Sequence, residues 1–145
     1  MLVAGVDLSG APGSRNFSYV AWLDVHQNRF LLDAYVPSPS TPLPVPPEGA
    51  AVACIGFDCP QSLPPFGAAR RVCDAQAQTA TKRIPSSREA LKSFIAYRGL
   101  IELGIDIFWN SFENGSAAVY GMPQPGGSGG AACADGVPVI FETYP

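Results

Sequence analysis

Apolar residues along this chain fall in short runs that end in charge or in turn-forming residues. Leu2-Val3-Ala4-Gly5-Val6 runs into Asp7 and then into a Ser, Gly and Pro loop through Ser14, which predicts a buried strand and a turn. Phe17 to Val25 and Arg29 to Val36 carry Tyr19, Val20, Trp22 and Phe30, Leu31, Leu32, Tyr35 on either side of His26-Gln27-Asn28. These predict two more strands joined as a hairpin, so the chain is expected to open with a three-strand antiparallel meander.

Pro37 to Gly49 holds six prolines and no apolar period, so an extended connector without helix is expected. The strands before it are too few to close a core, so it is not read as a domain boundary. Ala51 to Asp58 repeats the opening pattern, small and apolar residues followed by an acid. Ala68 to Gln78 is weakly periodic and allows a short helix. Arg88 to Leu103 is the clearest helix. Leu91, Phe94, Ile95 and Ile101 recur at helical spacing, and Glu89 follows Ser86 by three residues as in a capping box. Ile105 to Tyr120 is compatible with either element, Pro123 to Gly130 is a glycine-rich loop, and Val137 to Glu142 returns to the strand pattern.

The length of 145 residues suits one domain. Apolar residues make up 47% and charged residues 14%, so a buried core is expected together with a greasy surface, part of it open to cover by another subunit, as in a homo-oligomer, or by chain that is not in this sequence. A net charge of −3 gives no basic field for nucleic acid, so any polyanion must be gripped locally. Met1 to Val6 has no basic flank and is cut short by Asp7, so neither a signal peptide nor a membrane span is expected, and the reading is cytoplasmic. Cys54, Cys59, Cys73 and Cys133 form no C-x-x-C pair and His26 is the single histidine, which points to reduced thiols and against a zinc set.

Three apolar strands end in an acid: Val6-Asp7, Phe57-Asp58 and Phe141-Glu142. Acids at the carboxyl ends of strands face the crevice where open α/β sheets bind ligands, and three together repel unless a cation intervenes. Any one of them alone is explained by a turn or a strand cap. Taken together, Asp7, Asp58 and Glu142 are the candidate metal ligands and catalytic acids. Their hard oxygens suit Mg²⁺ or Mn²⁺, and such a site can polarise a phosphodiester and activate water. Arg70, Arg71, Lys82, Arg83 and Arg88 concentrate positive charge nearby in sequence. Arg71 and Arg83 are the preferred phosphate binders, against a reading as a solvated face paired to Asp74 and Glu89. Ser9 and Gly10 are candidates to offer backbone amides to phosphate. Trp22, Phe108, Trp109 and Phe112 are assigned to packing.

The motifs Ala4-Gly5-Val6-Asp7-Leu8-Ser9-Gly10, Ile55-Gly56-Phe57-Asp58-Cys59-Pro60, Arg71-Val72-Cys73-Asp74 and Phe141-Glu142-Thr143-Tyr144-Pro145 resemble, in order, those of domain-of-unknown-function family 429. That family is described as predicted nucleases with an RNase H-like fold. The resemblance implies an α/β fold of that kind, a mixed sheet with flanking helices, and metal ligation by Asp7, Asp58 and Glu142. It also implies a further acid on a C-terminal helix. The sequence stops three residues after Glu142, so the chain is a fragment, the member has lost that helix, or a partner subunit supplies the acid.

The leading expectation is therefore a metal-dependent nuclease. A second enzyme reading takes Asp7-Leu8-Ser9-Gly10 as a phosphate loop like that of actin-like ATPases and sugar kinases, which share the core but carry a second domain. A third is a binding or assembly module that keeps the fold without catalysis.

Overall fold

The first apolar run forms an interior strand of a six-stranded mixed sheet. In the computed structural model the structure describes residues 1–47, 50–64, 71, 85–93, 97–122 and 136–143. Strand β1 (Leu2–Asp7) pairs antiparallel with β2 (Ser18–Asp24), which pairs antiparallel with β3 (Arg29–Tyr35). The expected meander is thus present. Its second turn is closed by Asp24, whose Oδ1 accepts the amides of His26 at 2.9 Å and Gln27 at 3.2 Å. The Gln27 amide, with the His26 amide, holds that carboxyl below its ordinary range.

Beyond the connector, which carries neither helix nor strand over residues 36–47, β4 (Val52–Phe57) joins β1 in parallel. Strand β6 (Val139–Glu142) joins β4 in parallel, and the short β5 (Ala118–Val119) joins β6 in parallel. The order is β3-β2-β1-β4-β6-β5, and β2 alone runs against its neighbours.

Side chains alternate across a strand, so the sheet has two unlike faces. Leu2, Ala4, Val6, Val20, Trp22, Ile55, Phe57 and Ile140 are buried on one of them. There they meet Leu103, Ile107 and Phe108 of the long helix α2 (Arg98–Glu113), and the Phe57 and Phe108 rings pack edge to face at 5.7 Å. The other face carries Gly5, Tyr19, Phe30 and Leu32, all exposed.

The helical region differs from the pattern-based expectation. A short helix α1 (Arg88–Lys92) starts at Ser87, not Ser86: the Ser87 Oγ accepts the Ala90 amide at 3.0 Å. At Ser93 the hydroxyl and the amide both donate to the Ala90 carbonyl, a local alternative to helical bonding, and α1 ends there. Helix α2 then runs to Glu113, through the stretch whose type the sequence left open. Trp22 and Phe108 are core, as assigned, whereas Trp109 is 51% exposed. Among the described residues no helix is long and apolar enough to cross a membrane. The helix expected over Ala68 to Gln78, the glycine-rich loop after Met122, Cys73, Cys133 and Arg83 lie outside the described residues, apart from Arg71 within that helix.

Candidate functional site

Strands β1 and β4 are adjacent and parallel, but the chain leaves β1 toward β2 and β3 and leaves β4 toward β6 and β5. The boundary between them is a topological switch point, the place where open sheets bind ligands beyond the carboxyl ends of the strands. Asp7 is the last residue of β1, and Asp58 follows the last residue of β4.

Register settles how the three strand-end acids face. Val6 is opposite Phe57, and Phe57 is opposite Glu142; the parallel bonding runs one step further, with the Asp58 amide donating to the Val6 carbonyl at 3.0 Å and the Thr143 amide to the Phe57 carbonyl at 2.9 Å. Asp7, Asp58 and Thr143 therefore share one row on the open face, and Asp7 and Asp58 are both exposed. Glu142 belongs to the row of Val6 and Phe57, which are buried toward α2. Two of the three acids are brought side by side, while the third leaves from the opposite face of the sheet. Among the described residues no group of three His, Cys, Asp or Glu side chains is arranged to hold a metal ion.

Glu142 has partners of its own. Arg71 grips it with both terminal nitrogens, Nη1 to Oε2 and Nη2 to Oε1, each at 2.5 Å, and the Gln61 amide donates to Oε2 at 3.0 Å. Arg71 is 5% exposed and Glu142 14%, so the pair is a largely buried, fork-to-carboxylate contact. It ties the end of β6 to Arg71 and to the loop that follows Asp58. Arg71, taken from sequence as a phosphate binder, is thus engaged with Glu142. The expected offer of amides by the Ser9 loop is also partly spent, since the Ser9 amide donates to the buried Ser18 Oγ at 3.1 Å.

The two loops that follow Asp7 and Asp58 are both seated on α2 through glycines. At Gly99 a Cβ would stand 2.6 Å from the Ala11 Cβ; at Gly104 it would stand 2.7 Å from the Cys59 Sγ and 2.8 Å from the Cys59 Cβ. Only a residue without a side chain lets the helix approach this closely. Gly104→Ala is expected to destabilise the fold by about 1–2 kcal/mol, overpacking of about 1–3 kcal/mol outweighing the roughly 1 kcal/mol gained in helix propensity. Urea unfolding measures this, and a stabilised variant would contradict the packing.

Cys59 is fully buried, and burial, followed by the nearby charges of Glu142 and Asp58, pushes its thiol well above its ordinary value; Arg71 pulls the other way. Burial, and then Cys59, similarly push up the Tyr35 phenol. Both groups remain protonated in the folded chain while they ionise in the unfolded chain above their ordinary values of 9.0 and 10.0. The unfolded chain then binds fewer protons, so stability falls as pH rises above about 9, by up to about 1.4 kcal/mol per pH unit for each group. Urea midpoints at pH 7, 9 and 10.5 check the sign. Native Cys59 should also resist iodoacetamide at pH 8, read by mass mapping.

Two small clefts flank the loop after β1. One is lined by Pro12, Pro37, Leu103 and Asn110 among others, the second by Arg88, Leu91, Glu102 and Ile105 with Pro12 and Asp106, and neither is lined by Asp7, Asp58 or Glu142. Asp7 and Asp58 are both exposed. Compared with known proteins, the chain matches no family model, no curated protein and no solved structure.

Proposed function

We propose that this chain is an RNase H-like, metal-dependent phosphodiester hydrolase acting on nucleic acid, in which Asp7 and Asp58 bind Mg²⁺ or Mn²⁺. One observation carries the reading: two exposed carboxylates stand side by side at the carboxyl ends of adjacent parallel strands, at the switch point of the sheet. Two carboxylates suffice for such a cation, which is commonly held by one or two of them together with waters and substrate phosphates. The donor set fits, since both residues offer hard oxygens and lie next to each other with no intervening cationic side chain among the described residues.

A divalent cation bound there would supply Lewis-acid polarisation of the phosphoryl group and a more acidic water. Asp7 and Asp58 bind it and fix its place on the sheet. Glu142 acts through structure: clamped by Arg71 and Gln61, it holds the loop after Asp58 against the end of β6. The strand order, with β2 alone reversed, supports the RNase H-like reading drawn from the motifs. A cytoplasmic setting agrees with the free thiols of Cys54 and Cys59.

The clamping of Glu142 also favours a second reading, a binding or assembly module of the same fold without turnover. Hydrolysis of single-stranded, hybrid and branched nucleic acids, measured across a Mn²⁺ and Mg²⁺ titration, separates the two. Metal-dependent cleavage supports the hydrolase. Absence of cleavage, or cleavage unchanged in an Asp7→Asn, Asp58→Asn double variant, would overturn it.

A further inference from the structure

Strand β3 is the outer strand of the sheet, and its sequence Arg29-Phe30-Leu31-Leu32-Asp33-Ala34-Tyr35 carries none of the lysines, prolines or bulges that normally blunt an edge. Its apolar side chains are exposed on both faces: Phe30 at 72%, Leu31 at 51% and Leu32 at 78%. Side-chain alternation puts Arg29, Leu31 and Asp33 on one face, and Phe30 and Leu32 on the other. We propose that this edge pairs antiparallel with the same edge of a second copy of the chain, about a twofold axis at Leu31, joining the two sheets into one.

Three features of β3 fit this register. An axis at Leu31 sets Arg29 opposite Asp33 of the second copy, and by symmetry again on the far side of the axis, so opposite charges meet twice. It also sets Phe30 opposite Leu32, and Leu31 opposite its own copy. An axis at Leu32 would instead place Leu31 against Asp33, and one at Phe30 would place Leu31 against Arg29. Charge and apolar complementarity therefore select Leu31 as the centre.

The backbone supplies the second feature. The Ala34 amide donates to the Asp33 Oδ1 at 2.7 Å, so it points away from β2. Amides two and four residues earlier, Leu32 and Phe30, share that outward direction. In the proposed register Phe30 and Leu32 are the directly opposed pair that exchanges both backbone bonds, so the free edge groups satisfy one another. Arg29 and Asp33 then fall at the closer, non-hydrogen-bonded positions.

The third feature is that the pairing has natural ends. The next outward residue, Ala34, would face Asn28, which leaves the strand with φ 50°. Ala34 already has its amide satisfied by Asp33, so nothing is stranded there. In the single chain the Arg29 guanidinium reaches only the edge of hydrogen-bond range, 3.4 Å from the Gln27 Oε1, which leaves it able to turn to a carboxylate across the axis.

The test is the mass of the full chain by sedimentation equilibrium, with circular dichroism verifying the fold of each variant. The wild type is expected to be a dimer. Arg29→Asp, which opposes two acids on each side of the axis, should weaken it roughly tenfold or more, and Arg29→Asp with Asp33→Arg should restore it. Leu31→Lys, at an exposed position, should yield folded monomers. A monomeric wild type, a dimer unaffected by Leu31→Lys, or a charge reversal that fails to rescue would each overturn the proposal.

Discussion

Replacing Asp7 and Asp58 together by asparagine is expected to lower metal-dependent hydrolysis by roughly a thousandfold or more, about 4 kcal/mol of transition-state stabilisation. The substitution keeps the size of both side chains and removes both anionic donors. It should leave the fold intact, because both residues are exposed and their carboxylates take part in none of the hydrogen bonds that hold β1 to β4. Removing two like charges from neighbouring strands should raise metal-free stability slightly, by a few tenths of a kcal/mol. Melting curves and cleavage rates together distinguish loss of a site from loss of the fold.

The largest effect on stability is expected at Arg71. Arg71→Met keeps much of the aliphatic bulk but leaves the Glu142 carboxylate, 14% exposed, with the Gln61 amide and without its guanidinium. Stranding one partner of a buried pair costs about 3–5 kcal/mol. Adding Glu142→Met should recover most of that loss, because the cost lies in the unpaired charge and not in the missing attraction. Urea unfolding of the two single variants and the double variant gives the coupling directly; a loss under about 1 kcal/mol in Arg71→Met would show that the clamp does not hold the loop.

Much of the sheet was legible because each strand is a short apolar run closed by an acid or a turn, and the hairpin lies where His26-Gln27-Asn28 predicts it. What could not be read was register. In sequence, Val6-Asp7, Phe57-Asp58 and Phe141-Glu142 look equivalent. In space Val6 pairs with Phe57, but Phe57 pairs with Glu142 and Phe141 with Gly56. One residue of offset sends a side chain to the other face, so Glu142 parts company with the two aspartates.

The signal for that offset was Gly56, where a Cβ would stand 3.2 Å from the Phe141 ring; a glycine amid an apolar strand marks a place where a neighbour comes close. Gly99 and Gly104 mark the same kind of close approach on α2, at its contact points with the site loops. The Arg71 to Glu142 clamp had no local signal at all, since its partners are 71 residues apart. The expectation of a helix over Arg88 to Leu103 misses the end at Ser93, whose side chain competes for the Ala90 carbonyl, and Ile105 to Tyr120 stays open in the sequence because apolar side chains on both sides of the helix blur the period.

The central claim, a divalent cation site made by Asp7 and Asp58, is tested most directly by calorimetric titration of Mn²⁺ into the wild-type chain and into Asp58→Asn. Saturable binding in the wild type that is lost in the variant, with unchanged far-ultraviolet circular dichroism, is the expected result. No saturable binding, or binding of equal affinity in Asp58→Asn, would contradict it.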